Sequence, residues 1–115
     1  MDDNKNNNIN WSLKSLVSLI QQRKKNESSD SYTSTLLHGD IDQILKKFGE
    51  EAFELIIAAK NSTDHKSIKY EAADLMYHFW VLMTYFDISL EDIELELSKR
   101  SGRSGLAEKA SRVNK

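Results

Sequence analysis

Not one proline interrupts the 115 residues, and glycine occurs only at positions 39, 49, 102 and 105. Sheets and tight turns draw on those residues, whereas long unbroken stretches rich in Leu, Glu, Lys and Ala favour helix. The chain is therefore expected to be all-α, and its length suits one domain around one core. Sixteen basic residues against 18 acidic ones leave a formal net charge of -2. That balance supplies no bulk attraction for nucleic acid or an anionic membrane. Cysteine is absent, which excludes disulfides and thiolate metal sites. The polar, asparagine-rich start resembles neither a signal peptide nor a transit peptide. The longest apolar run, residues 75–86, is interrupted by His78 and Thr84 and is too short for a bilayer, which takes roughly 20 residues. A soluble, cytoplasmic protein is expected.

Periodicity divides the chain into four helices in a bundle-like arrangement. Residues 1–8 lack apolar anchors and are expected to be a disordered tail, followed by a helical domain over 9–103 and a basic tail of the same domain over 104–115. Leu13, Leu16, Val17 and Ile20 recur at helical spacing between Ile9 and about Lys25. A polar loop follows, with a short turn at 32–38 before Gly39. The second helix starts near Asp40, where Asp40-x-x-Gln43 offers a reciprocal cap, and runs to about Lys60. The third spans about 64–86. The fourth opens at Ser89, with Ser89-x-x-Asp92 as its cap, and ends near Arg100.

On a helical wheel Ile41, Ile44, Leu45, Phe48, Ala52, Leu55, Ile56 and Ala59 form one broad apolar stripe of the second helix, with Phe53 and Ile57 almost opposite. Glu51 flanks the stripe, Glu54 lies beside it and Glu50 points farther away. The third helix is apolar nearly all round from Ala72 to Phe86, so its polar exceptions Asp74, His78 and Thr84 are expected to be buried. More apolar surface results than four short helices can cover, and a homodimer or higher homo-oligomer is expected.

Glu71, Asp74 and His78 share one face of the third helix at i, i+3, i+7 spacing. Folding the second and third helices into an antiparallel hairpin about residues 62–63 brings Glu54 level with Glu71, and Glu51 level with Asp74. Like charges about 5 Å apart repel by roughly 3 kcal/mol at an effective dielectric near 20. Four converging carboxylates therefore call for a cation, and Lys46 and Lys47 are placed to neutralise only the outer Glu50 and Glu51. An oxygen-only ligand set suits Mg²⁺, or Mn²⁺, rather than zinc. A solvated acidic face paired with lysines is the ordinary reading of Glu50-Glu51-x-x-Glu54 by itself; the match across one hairpin favours the metal. For His78 a core histidine bonded to Asp74 is favoured over a catalytic base. Gly49 reads most simply as allowing close helix approach.

These residues resemble the all-α nucleotide pyrophosphohydrolases, whose signature is Glu-Glu-x-x-Glu followed after a gap by Glu-x-x-Asp. Here it stands as Glu50-Glu51-Ala52-Phe53-Glu54 and Glu71-Ala72-Ala73-Asp74. Further segments resemble the phosphoribosyl-ATP branch: Ser31-Tyr32-Thr33, Lys46-Lys47-Phe48-Gly49, Asp74-Leu75-Met76-Tyr77-His78, and the tail from Ser104 to Arg112. Phe48 and Trp80 depart from the pattern, where smaller aliphatic residues are expected.

The resemblance implies hydrolysis of a small-molecule nucleotide, 1-(5-phosphoribosyl)-ATP, to phosphoribosyl-AMP and pyrophosphate in histidine biosynthesis, as a separate enzyme rather than one fused to a cyclohydrolase. Glu51, Glu54, Glu71 and Asp74 are the expected metal ligands, and Glu50 the group that positions or activates water. Arg23, Lys47, Lys60, His78, Arg100, Lys109 and Arg112 are the candidates for substrate binding. Two rival readings stay open at this point: a housekeeping nucleoside triphosphate pyrophosphohydrolase with another base preference, and a non-catalytic helical adaptor.

Overall fold

A computed structural model describes residues 10–61 and 63–101. Within them the chain forms five helices and no strand: α1 Leu13–Lys25, α2 Tyr32–Leu37, α3 Ile41–Asn61, α4 His65–Tyr85 and α5 Leu90–Arg100. The expected turn at 32–38 is thus a true helix of six residues. It is too short to show a period, and it forms because the Ser31 side chain accepts the Ser34 N–H while Leu36 and Leu37 enter the core. The expected tails, including Lys109 and Arg112, lie outside the described residues.

Local chemistry sets the helix ends. The first helix opens at Leu13 after extended Ser12, later than the expected Ile9. Asp40 accepts the Asp42 N–H at 3.0 Å, while the Gln43 amide bonds the Asp40 main-chain oxygen. Asp64 caps α4 by accepting from Lys66 N–H at 3.0 Å. Ser89 and Asp92 form the expected reciprocal box, with bonds of 2.9 and 3.0 Å. The Ser89 amide, and after it the nearby Ser89 hydroxyl, hold the Asp92 carboxyl below its usual range.

Between α4 and α5 the chain reverses through Asp87, whose φ of 59° lies in the left-handed region. Lys24, in the last turn of α1, reaches across to this corner. Its Nζ donates to the carbonyls of Thr84 and Tyr85 at 3.0 Å each and to Asp87 Oδ1 at 2.8 Å. The Thr84 carbonyl also accepts the Asp87 N–H at 2.9 Å, so the lysine adds a second donor there and supplies one to Tyr85 at the helix end.

Val17 and Ile20 of α1, Leu36 and Leu37 of α2, Ile44 of α3, Trp80 and Val81 of α4 and Leu90 of α5 form the core. Phe79 stacks edge-on against Trp80 and tilts toward Phe48, so the two departures from the smaller aliphatic pattern belong to one aromatic group. The long helices α3 and α4 lie against each other as the expected hairpin.

Two burial expectations are corrected. The α3 stripe is not buried as a unit: Ile44 is enclosed, but Leu45 and Ile56 are 47% and 62% exposed, as are Phe53 at 62% and Ile57 at 43%. Nor is α4 buried on every side, since Met76 and the following Phe86 stand open. Within this chain α4 covers only one side of α3, so periodicity located the apolar surface without saying which part finds a partner. Gly49 is corrected as well. A Cβ built there meets nothing within 4 Å, so no helix among the described residues requires the glycine. No helix among the described residues is long and apolar enough to cross a membrane.

Candidate active site

The antiparallel packing of α3 on α4 decides which carboxylates meet. Oxygens of Glu51, Glu54 and Glu71 lie within 4.8 Å of one another, and so do ligand atoms of Glu51, Asp74 and His78. Glu51 belongs to both groups and is the pivot of the site. The pairing follows the register that the sequence spacing predicts, with Glu51 beside Asp74 and Glu54 beside Glu71.

The cost of this convergence is visible in the acids. Glu51 has only 6% of its side chain exposed, and its contact with the Asp74 carboxyl, then burial, then the charges of Asp74 and Glu54 push it above the ordinary glutamate value. Burial, followed by Glu54 and Asp74, raises Glu71 too. One oxygen of each, Glu51 Oε1 and Glu71 Oε1, is buried with no hydrogen-bond partner among the described residues. Buried acceptors without donors, gathered among like charges, are what a cation would satisfy. The donor set fits a hard divalent ion.

Lys47 makes the pairing expected of the neighbouring lysines, with its Nζ 3.5 Å from both Glu50 Oε1 and Glu51 Oε2, but Glu51 is buried rather than outer. Burial would lower this ammonium, but Tyr32, Glu51 and Glu50 outweigh it and hold Lys47 above its usual value. Lys47 touches one side of the cluster, and Glu51 Oε1 still lacks a partner.

His78 is buried, and its Nδ1 faces the Asp74 main-chain oxygen at 3.0 Å with Asp74 Oδ1 at 3.6 Å. Its place beside Glu51 and Asp74 adds a nitrogen to a set that the sequence reading took as oxygen only. The remaining candidates among the described residues sit at helix ends. Arg23 is exposed in the last turn of α1, beside the Lys24 that reaches the far end of α4. Ten residues of α4 separate Asp74 from Thr84, about 15 Å at about 1.5 Å per residue. Lys60 lies exposed in the last turn of α3, and Arg100 pairs with Glu96 at 3.2 Å at the end of α5.

Sequence reasoning missed one functional neighbour. Thr33 Oγ1 and Tyr77 Oη share a hydrogen bond that ties α2 to α4 at the edge of the carboxylates. The pair is 44 residues apart, and no local spacing reveals it.

Residues 13–101, from the first residue of α1 to the end of α5, match the family model described as phosphoribosyl-ATP pyrophosphohydrolase. The chain belongs to this family. All the described carboxylates of the site fall inside the matched span. Among similar family members is a phosphoribosyl-ATP pyrophosphatase of Geobacter metallireducens, 49% identical over 100 residues, covering 87% of this chain and 91% of that one. Another phosphoribosyl-ATP pyrophosphatase, from Neisseria gonorrhoeae, is 47% identical over 101 residues, covering 88% and 94%. The resemblance that the acidic motif implied thus extends over most of the length of these family members rather than a motif.

Proposed function

We propose that the chain hydrolyses 1-(5-phosphoribosyl)-ATP to phosphoribosyl-AMP and pyrophosphate, a step of histidine biosynthesis in the cytoplasm. The observation that carries this reading is the Glu51-centred cluster, assembled across the α3–α4 hairpin of a chain whose relatives bear that name along nearly their full length. Mg²⁺, or Mn²⁺ in its place, held by Glu51, Glu54, Glu71 and Asp74, would neutralise phosphate oxygens and make a bound water more acidic. Glu50, exposed and paired with Lys47, is placed to orient the attacking water or take its proton. Lys47 offers its ammonium to the phosphate chain, and the Asp74 main-chain oxygen fixes the ring of His78 behind the ligands. Pyrophosphate release from phosphoribosyl-ATP, measured beside a panel of nucleoside triphosphates, tests the reading. A marked preference for one of the triphosphates would replace it with the housekeeping alternative.

The working form is proposed to be a homodimer built on the exposed side of α3. Leu45, Phe53, Ile56 and Ile57 fall within an arc of about 120° when residues are placed at about 100° intervals. Gly49 lies inside that arc, which gives its missing side chain a role between chains. Gly49→Ala should therefore favour helix within one chain by about 1 kcal/mol while loosening the dimer. Sedimentation over a concentration series reads the dimer, and denaturant unfolding over the same concentrations reads the stability of the chain. An unchanged dimer would place the interface elsewhere, and a monomer of the unsubstituted protein would remove it.

A further inference from the structure

Two polar paths leave the carboxylates and meet at the same place. Along α3, Glu51 is followed by Lys47, whose ammonium feels the phenol of Tyr32. Along α4, Asp74 is followed by Tyr77, whose hydroxyl bonds Thr33. Burial raises the Tyr77 phenol most, and Tyr32 and Asp74 push it the same way, so this hydroxyl lies within electrostatic reach of both. The meeting point is the first turn of α2. Its far end is anchored by buried Leu36 and Leu37, and its near end by the Thr33–Tyr77 bond. One residue before the Thr33 anchor, at the very start of the helix, Tyr32 is 54% exposed.

We propose that Tyr32 is a specificity-determining residue whose ring receives the base of the bound nucleotide, and that Thr33 and Tyr77 are positioning residues that hold it there. The inference rests on the pyrophosphohydrolase reading and adds to it the part of the site that contacts the base. The order along the surface is carboxylates, lysine, aromatic ring. A nucleotide presents the matching order, with phosphates for the cations at one end and a flat π-system at the other. A tyrosine offers a large, rigid face at low entropic cost, because only two torsions need fixing. The hydroxyl pair sets where that face stands by fixing α2 on α4, and the deletion of either hydroxyl removes the fix without touching a carboxylate.

The test compares Tyr32→Ala, Tyr32→Phe and Thr33→Val in the full chain. Three quantities are read: Kd for a non-hydrolysable ATP analogue with Mg²⁺, KM and kcat on phosphoribosyl-ATP, and Mn²⁺ affinity by paramagnetic resonance. Stacking on an aromatic face is typically worth about 1–3 kcal/mol per base, so Tyr32→Ala should raise Kd and KM about tenfold or more. Turnover at saturation and Mn²⁺ affinity should hold in that variant, and Tyr32→Phe should match the unsubstituted protein because the face survives. Thr33→Val should raise Kd and KM by a smaller factor at unchanged Mn²⁺ affinity.

Three results would each overturn the proposal: unchanged analogue affinity in Tyr32→Ala, equal losses in the Phe and Ala variants, or Mn²⁺ affinity falling in parallel. Analogue binding that depends on Tyr32 in a protein inert toward phosphoribosyl-ATP would sink the substrate assignment and leave the base platform standing. A protein that hydrolyses phosphoribosyl-ATP with Tyr32 irrelevant would do the reverse.

Discussion

Replacing Glu71 or Asp74 with alanine should lower kcat/KM on phosphoribosyl-ATP by about 10²–10³-fold, the range seen when a major electrostatic contact to a transition state is removed. Their place in the two ligand groups motivates the expectation, because each group loses a member and Glu51 alone cannot replace it. The fold should not suffer. Without metal these carboxylates repel one another, and removing one relieves the strain that holds Glu51 and Glu71 above the ordinary value of 4.5. Thermal melts should therefore show the metal-free Asp74→Ala protein at least as stable as the unsubstituted one, with the gain on adding Mg²⁺ much reduced. Normal turnover in a folded Glu71→Ala or Asp74→Ala protein would move the metal site elsewhere.

The sign of the pH dependence follows from the same shifts. An acid whose folded pKa is raised binds protons more tightly in the native state. Metal-free stability should accordingly fall as pH rises from about 4.5 through the raised values of Glu51 and Glu71. Mg²⁺ competes for the same oxygens, so its stabilising effect should grow across that window and be full above it. A Mg²⁺ effect that is flat or shrinking with rising pH would contradict the ligand assignment.

The second large effect concerns substrate choice. Phosphoribosyl-ATP carries a ribose phosphate on its adenine that ATP lacks, a dianion remote from the bond that breaks. An enzyme committed to this substrate turns that remote binding into orientation at the reacting centre. Charge-assisted contacts contribute about 1.5–3 kcal/mol each, so phosphoribosyl-ATP should exceed ATP in kcat/KM by about 10²-fold or more. The basic tail supplies candidates, and the paired substitution Lys109→Ala and Arg112→Ala should erase most of this ratio while leaving basal ATP turnover in place. Equal efficiency toward the two compounds in the unsubstituted enzyme would remove the handle altogether.

The carboxylate cluster was the most legible part of the chain because it depends on two periodic objects and one short turn. Helical spacing fixes which acids share a face, and distance from the turn fixes which acids meet across it; both held for Glu51 with Asp74 and Glu54 with Glu71. What the sequence hid depends on long-range contacts or flexible reach. The six-residue α2 owes its position to the core and to Tyr77 rather than to a repeat. Lys24 reaches the Asp87 corner because a long side chain is not bound by the wheel angle of its Cα. That the helices carry more apolar surface than one chain covers was legible, but not that Leu45 and Ile56 of the α3 stripe stand open, since burial belongs to the partner surface as much as to the residue.

Lys24 carries a consequence for the order in which the molecule assembles. Its three bonds join positions 60, 61 and 63 residues away and so close a loop holding α2, α3 and nearly all of α4, the stretch that contains every carboxylate of the site. Closing so long a loop costs chain entropy before any contact rewards it, and such contacts tend to form after the rate-limiting barrier. The clasp should then act as a latch on the finished structure. In stopped-flow refolding, Lys24→Met should leave the folding limb nearly unchanged and speed unfolding by about five- to tenfold, corresponding to about 1–1.4 kcal/mol lost after the transition state. A slowed folding limb would instead place this contact in the nucleus. Lys24 would thereby govern how long the native chain persists rather than how fast it forms.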